Sequence, residues 1–454
     1  MNSPWLSQLH RTRPIASLEH DHTVDVTVLG GGIAGVVTSY FLLRDTDKKV
    51  LLLEGDKIGH GATGHNAGQV TSYFERPFFE IVEEFGLELA SQGQTSIHSA
   101  WMLLEEIVEE AHIQTPLWQV TGYAGLSSMD LILEHLKNNA LKEQGGILFE
   151  PMYIADTVDI RLIPKEFSSL YSVLPHNNIL DLLETKNAEY IATLVSRKGC
   201  MNSALFCEKL VTYMLNQYSD RFVLAEHSFV EKIILGENDI QANTKNWKVS
   251  SRYLVLCTNG FENFSLVYEK NPEIEKTFHK MIHGTVGYML GYLDPINKQP
   301  SVVSYLDRKI AETGDEEEPD TYYYLTRRPF ENEKKEKHNL VSVGGPDARI
   351  PEYARYAHDQ TYPSECTEDI LSFLYKTYAF SPQNIEPKFK WHGLMGYTPN
   401  SIRRVGPDPQ YPFLMYNLGC NGVGILPSIF GGKRISRYIV GEDVEASIFD
   451  IPRE

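Results

Sequence analysis

Hydrophobic and polar positions follow two distinct periods along the chain. Residues 24–29, Val-Asp-Val-Thr-Val-Leu, form a short β-branched run that stops at three glycines, and residues 33–43 continue with helical spacing. After a polar turn, residues 49–53 predict a second strand, so the first part of the chain reads as a strand–turn–helix–strand unit of about 30 residues. From 76 to 111 the apolar positions Phe79, Val82, Leu87, Leu89, Trp101, Leu104 and Ile107 recur on helical faces. A strand is expected over 117–126 and a further helix over 128–142.

Residues 219–259 read as short strands with turns at 236–239 and 245–246, ending in an apolar strand over 253–257. Three more strands are expected at 281–292, 322–327 and 340–343, and a helix over 424–440. No internal repeat or long low-complexity tract is present. This pattern predicts an α/β fold. A Rossmann-like nucleotide domain is expected from 1–75, 195–265 and 386–454, and an α+β domain on an antiparallel sheet from 76–194 and 266–385.

Composition narrows the function classes. With 454 residues, 42% hydrophobic and 22% charged, the chain is long enough for two domains and too apolar for disorder. Its formal charge of −18 disfavours nucleic acid as a partner. The acidic run 314–318 reads as solvated loop. Five scattered cysteines without a CxxC pair argue against a zinc site or a disulfide framework and fit a reducing compartment. No secretory leader is legible, and no apolar stretch nears the roughly 20 residues of a membrane span, so a cytoplasmic location is expected.

The chemistry begins at the glycines. Gly30-Gly31-Gly32-Ile33-Ala34-Gly35 satisfies GxGxxG: Gly30 for a tight turn, Gly32 for close approach of a pyrophosphate, Gly35 for close packing of helix on strand. Such a helix start attracts phosphate. Glu54, at the end of the second strand, supplies the carboxylate expected to accept ribose hydroxyl hydrogen bonds. A dinucleotide is the implied ligand.

Two further segments specify which. Gly59-His60-Gly61-Ala62-Thr63-Gly64-His65-Asn66-Ala67-Gly68 follows the acid, and Trp391-His392-Gly393-Leu394-Met395-Gly396-Tyr397-Thr398-Pro399-Asn400 precedes a glycine-rich turn, Gly419-Cys420-Asn421-Gly422-Val423-Gly424. Together with the strand ending at Thr258, Asn259 and Gly260, they resemble the D-amino-acid oxidase-like superfamily, which includes glycine oxidase and sarcosine oxidase. The resemblance implies FAD. It makes Gly61, Ala62, Thr63, His65, Asn66, Ala67 and Gly68 contacts along the diphosphate and flavin. It also places Gly419, Asn421, Gly422, Val423 and Gly424 at the flavin pyrimidine edge, where a helix dipole stabilises developing negative charge.

The chain departs from that family at informative points. Where one branch carries a carboxylate-clamping arginine, this chain has Met395, which cannot hold a carboxylate bidentately. Arg327, Arg328, Arg403 and Arg404 are the candidate replacements. The cysteine that anchors flavin in monomeric sarcosine oxidase has no counterpart in 391–400, whereas His65 aligns with the histidine that carries flavin in another branch. Noncovalent FAD is expected, with a His65 link as the alternative.

On the substrate side the candidates are His283, Tyr322, Tyr324, Arg327 and Met395, with Tyr288, Tyr323 and Lys280 beside them. Alternation sends Tyr322 and Tyr324 to one face and Tyr323 to the other. The function implied is hydride transfer from a small amine or amino acid to flavin, followed by imine hydrolysis, with oxygen or another acceptor taking the electrons. The alternatives are a dehydrogenase with a non-oxygen acceptor and a flavin-binding subunit without turnover. No catalytic base is nominated and no metal is called for.

Overall fold

The computed structural model describes residues 3–261, 263–307, 321–332, 334–351 and 355–452; the acidic run 314–318 lies outside them. Two sheets organise the described residues. The first has nine strands around a parallel core: His22–Leu29 lies between Val50–Leu53 and Lys248–Leu256, flanked in turn by Phe222–Ala225 and Leu414–Leu418. An antiparallel meander, Val230–Leu235, Ile240–Thr244 and Lys248–Leu256, extends one side. The four residues of Val50–Leu53 are buried, as parallel strands covered on both faces require.

Helix Ile33–Asp45 covers this sheet and is itself covered by helix Ile425–Val440. The two backbones approach closely at Gly432, where a Cβ would stand 3.0 Å from the Thr38 amide nitrogen. Helix Ile33–Asp45 is therefore apolar around most of its surface and buried from Ile33 to Leu43.

The second sheet has ten strands among the described residues, in the order Phe389–Tyr397, His283–Asp294, Lys337–Arg349, Thr321–Glu331, Ser301–Asp307, Leu117–Leu126, Ala192–Met201, Met152–Ala155 and Tyr171–Leu174, with Gln69–Val70 paired to Ala192–Met201. The fold is thus α/β with a nucleotide-type layer and a second, largely antiparallel sheet, as the periodicity predicts.

The structure differs from the sequence reading at four points. The helical stretch 76–111 is two helices, Phe78–Phe85 and Leu87–Glu110, because Gly86 at φ +81° turns the chain between them. Ser301–Asp307, Ala192–Met201 and Phe389–Tyr397 are strands that the sequence did not announce. The last contains His392, Gly393 and Gly396, which break the alternation. Residues 195–201 and 389–397 hydrogen-bond into the second sheet, although the expected layout grouped them with the nucleotide domain. Helices Ser203–Gln217 and Ser364–Thr377 lie where no element was expected.

Candidate active site

A cavity of about 540 Å3 runs between the two sheets. At one end it is lined by Gly30, Gly32, Ile33, Ala34 and Glu54. Gly30 turns at φ +109° with its α-carbon against Cys257, and Gly35 lies outside the lining because its bare α-carbon packs on the Gly30 carbonyl. Helix Ile33–Asp45 starts at Gly32 without a side-chain cap or an acidic first turn, which leaves a helix N-terminus directed at the cavity and suited to an anion. Glu54 accepts from the amides of Gly31 (2.6 Å) and Asp56 (2.8 Å); burial pushes its carboxyl pKa up, against the pull of those two amides.

The loop after the acid follows the cavity wall through Gly61, Ala62, Thr63, His65, Asn66, Ala67 and Gly68. Thr63 Oγ1 accepts from the Ile33 amide at 2.9 Å, tying loop to helix. His65 Nδ1 lies 2.9 Å from the Gly61 carbonyl, so in the neutral ring this nitrogen carries the proton and Nε2 is unprotonated. Burial lowers its pKa to about 4, and the His358 ring stacks on it at 5.0 Å.

Helix Ile425–Val440 also begins without a side-chain cap, at Gly424, beside Gly422 and Val423 in the wall. Thr258 and Asn259 line the cavity between the two helix starts. The Asn259 side chain donates to the Leu394 carbonyl at 3.1 Å and accepts from the Cys420 amide at 3.1 Å, stitching both C-terminal segments together.

Three of the expected cofactor contacts stand behind the wall instead. Gly260 packs on Leu394 and Gly396. Gly419, at φ +83°, gives its carbonyl to Arg403, and Asn421 uses its side chain on the Thr398 amide at 2.8 Å. They shape the turn rather than face the space.

The opposite end is built by the second sheet. Tyr322, Tyr324 and Met395 line it, while Tyr323 points the other way and stacks on Phe373 at 4.0 Å, the alternation expected of the strand. Tyr322 Oη lies 3.2 Å from Tyr73 Oη and 3.3 Å from Ser304 Oγ, and buried Lys198 donates to Ser304 at 3.1 Å. The sequence reading missed Tyr73, Glu75, Asp347, Tyr356, His358 and Tyr397, which complete this wall. Glu75 presents its carboxylate to the cavity, accepts from Tyr397 Oη at 2.9 Å and sits against Gly422. Desolvation, relieved by that bond and reinforced by Asp347, brings its pKa to about 7.

Two substrate-side candidates are corrected. Arg327 is committed away from the cavity: it holds Glu184 at 2.5 and 2.7 Å and donates to Tyr378 Oη at 2.5 Å. His283 stacks behind Tyr397 at 5.8 Å and does not line the space. Of the other arginines, Arg328 lies under Trp5 and Arg404 is buried outside the lining. Arg403 reaches the wall, but its guanidinium is spent on Asn417 Oδ1 (2.7 Å), Asn417 O (2.8 Å) and Gly419 O (3.2 Å). Lys280 is exposed, and Tyr288 packs on Tyr362 at 5.6 Å. Thus none of these four arginines is free to take over a carboxylate clamp at Met395.

The family model for DAO, FAD-dependent oxidoreductase, matches residues 25–438. The chain belongs to this family. Among its relatives, the Probable oxidoreductase OrdL of Haemophilus influenzae is 21% identical over 445 residues, 96% of this chain and 87% of that one. The gamma-glutamylputrescine oxidoreductase of Escherichia coli is 27% identical over 112 residues, 25% of this chain and 26% of that one. Glycine oxidase from Geobacillus kaustophilus shares the fold at a TM-score of 0.66 with 15% identity, over 95% of this chain and 99% of that one. FAD is therefore the cofactor the DAO family implies, and two uncapped helix N-termini, small-residue turns and a half-buried acid fit such a group. No described helix is long and apolar enough to cross a membrane, and all five cysteines are free.

Proposed function

We propose that the chain holds FAD noncovalently in this cavity, the first sheet carrying the nucleotide and the second covering the substrate, and oxidises an amine or amino compound larger than glycine. One observation carries the substrate side: the wall facing the glycine turns presents Glu75, Asp347 and several tyrosines, with Met395, and the arginine in the lining, Arg403, is spent on Asn417 and Gly419. Carboxylates and aromatic faces attract cations. An α-carboxylate finds no bidentate partner there.

Bound FAD supplies the two-electron acceptor for the hydride that leaves the substrate C–H. The residues do the rest. Glu75, in its ionised form, would hold the substrate ammonium and take its proton, so that the hydride leaves from the neutral amine, and Tyr397 fixes the orientation of that carboxylate through its hydroxyl. Met395 and Met289 offer an apolar, adaptable surface for the carbon chain. Because the Glu75 carboxyl titrates near 7, cation binding strengthens as pH rises through that value. It weakens again only where the amine itself loses its proton.

The test is anaerobic titration of the purified flavoprotein with amines and amino acids matched for size and charge, followed by flavin absorbance. Secondary amines, polyamine derivatives or larger amino compounds should bleach the flavin faster than glycine or D-alanine. Faster bleaching by glycine or D-alanine would sink the reading. Oxygen consumption with the best substrate then identifies the acceptor.

A further inference from the structure

The residues ahead of the nucleotide strand read in sequence as a polar lead-in, yet they reach the cofactor loop. We propose that Trp5 is a positioning residue for the loop Gly61 to Gly68 and thereby sets how tightly FAD is retained. The inference rests on the reading that FAD occupies this cavity.

Ser3 caps a single turn of helix, Pro4–Ser7, and donates its hydroxyl to the Gly64 carbonyl. Trp5 is fully buried, and its indole N–H donates to the Asn66 carbonyl at 2.5 Å. A second indole, that of Trp391 from the other sheet, donates to the same oxygen at 3.3 Å, and the two rings meet edge to face at 6.4 Å. Leu6 fills the space beside Gly64, and the Trp5 ring lies on Gly68, where a Cβ would stand 2.7 Å from it.

The strap is itself latched from behind. Asn202 donates to the Trp5 carbonyl at 3.0 Å. The Arg328 guanidinium sits 4.5 Å over the Trp5 ring and donates to Gln8 Oε1 at 2.9 Å. On the loop, the Asn66 side chain spans Thr63 O (3.1 Å), Ser203 Oγ (2.9 Å) and the Gly68 amide (2.8 Å), and Thr63 reaches the first turn of the nucleotide helix. A shift at Trp5 is thus conveyed through Asn66 and Thr63 to the cofactor face. One face of the loop lines the cavity and the other is bound to the strap. Its small residues contribute little packing of their own, so the strap supplies the rigidity that keeps their amides in place for an anion.

A tryptophan that only fills the core would, when altered, lower the stability of the apoprotein and leave cofactor affinity unchanged. Trp5→Phe retains most of the apolar bulk and removes the N–H, and a second variant lacks residues 2–9. The measurements are FAD dissociation by flavin fluorescence on wild type and both variants, and thermal unfolding of the apoproteins. We expect wild type to bind one FAD, Trp5→Phe to bind about tenfold more weakly, as loss of one buried hydrogen bond predicts, and the deletion to bind more weakly still. The Trp5→Phe apoprotein should melt only a few degrees below wild type, the cost of one buried hydrogen bond and part of a buried ring. Unchanged FAD affinity in Trp5→Phe, beside a wild type that binds FAD, overturns the proposal whether or not the deletion variant folds.

Discussion

The two ends of the cavity are built in opposite ways. The nucleotide end is made mostly of backbone: turns at Gly30 and Gly422, two helix starts without side-chain caps, and one half-buried acid. The amine end is made of side chains, Glu75, Asp347, Tyr322, Tyr324, Tyr397 and Met395, delivered by strands and loops far apart in sequence. A backbone site tolerates little change because an added Cβ strikes neighbouring backbone, as at Gly30, where it would stand 2.7 Å from the Cys257 carbonyl, or takes up space meant for the ligand. A side-chain site is retuned one residue at a time. Under the proposed function, the first kind holds the cofactor and the second selects the substrate.

Breaking the backbone end should have the largest effect. In Gly32→Val the new Cβ would meet only Thr63 Oγ1 at 3.1 Å, so the protein should fold while its side chain fills the phosphate space. We expect FAD uptake to be abolished with the apoprotein's circular dichroism unchanged; a full complement of FAD in this variant would place the cofactor elsewhere.

At the amine end, Glu75→Gln should raise the concentration of cationic amine needed for half-maximal flavin reduction by on the order of tenfold, since a hydrogen bond to a charged group is worth about 1.5–3 kcal/mol. The rise in affinity as pH climbs through about 7 should also disappear. A variant that keeps that pH dependence would remove Glu75 from the binding step.

Met395→Arg should sharpen the contrast by a smaller amount. The added guanidinium should bring measurable reduction by glycine or D-alanine and weaken reduction by cationic amines, read as a change in the ratio of the two rates. No change in that ratio would mean that Met395 does not face the substrate.

The smallest expected effect is at His65. Its ring is neutral at working pH, with a pKa lowered to about 4 by burial, and acid precipitation should release the flavin into the supernatant. A pellet that stays yellow, and loses its colour in His65→Ala, would establish the covalent link instead.

Legibility in the sequence follows the same divide. The glycine turns announce themselves because close approach and positive φ demand that residue type, and Glu54 follows at a spacing the strand–helix–strand unit dictates. Tyr322 and Tyr324 were separable from Tyr323 by strand alternation alone. Glu75 and Asp347 carry no such mark. Each becomes part of a wall only when Phe389–Tyr397 and Lys337–Arg349 pair with His283–Asp294, contacts that no local pattern encodes. Arg327 misled for the same reason: an arginine bound for a buried pair with Glu184 looks, in sequence, like one bound for a ligand.

The parallel pairing of His22–Leu29 with Lys248–Leu256 bears on how the molecule is made. While the chain is being synthesised, the first strand emerges early and finds Val50–Leu53 soon afterwards, but its other edge has no partner until residues 249–256 arrive. Closing so long a loop is entropically costly and slow, and an unpaired apolar edge invites association with other chains in the interval. The nucleotide layer is thus complete only once more than half of the chain exists. Its last core strand, Leu414–Leu418, comes later still, so the earliest stretch of sequence to reveal its purpose is among the last to acquire its finished form.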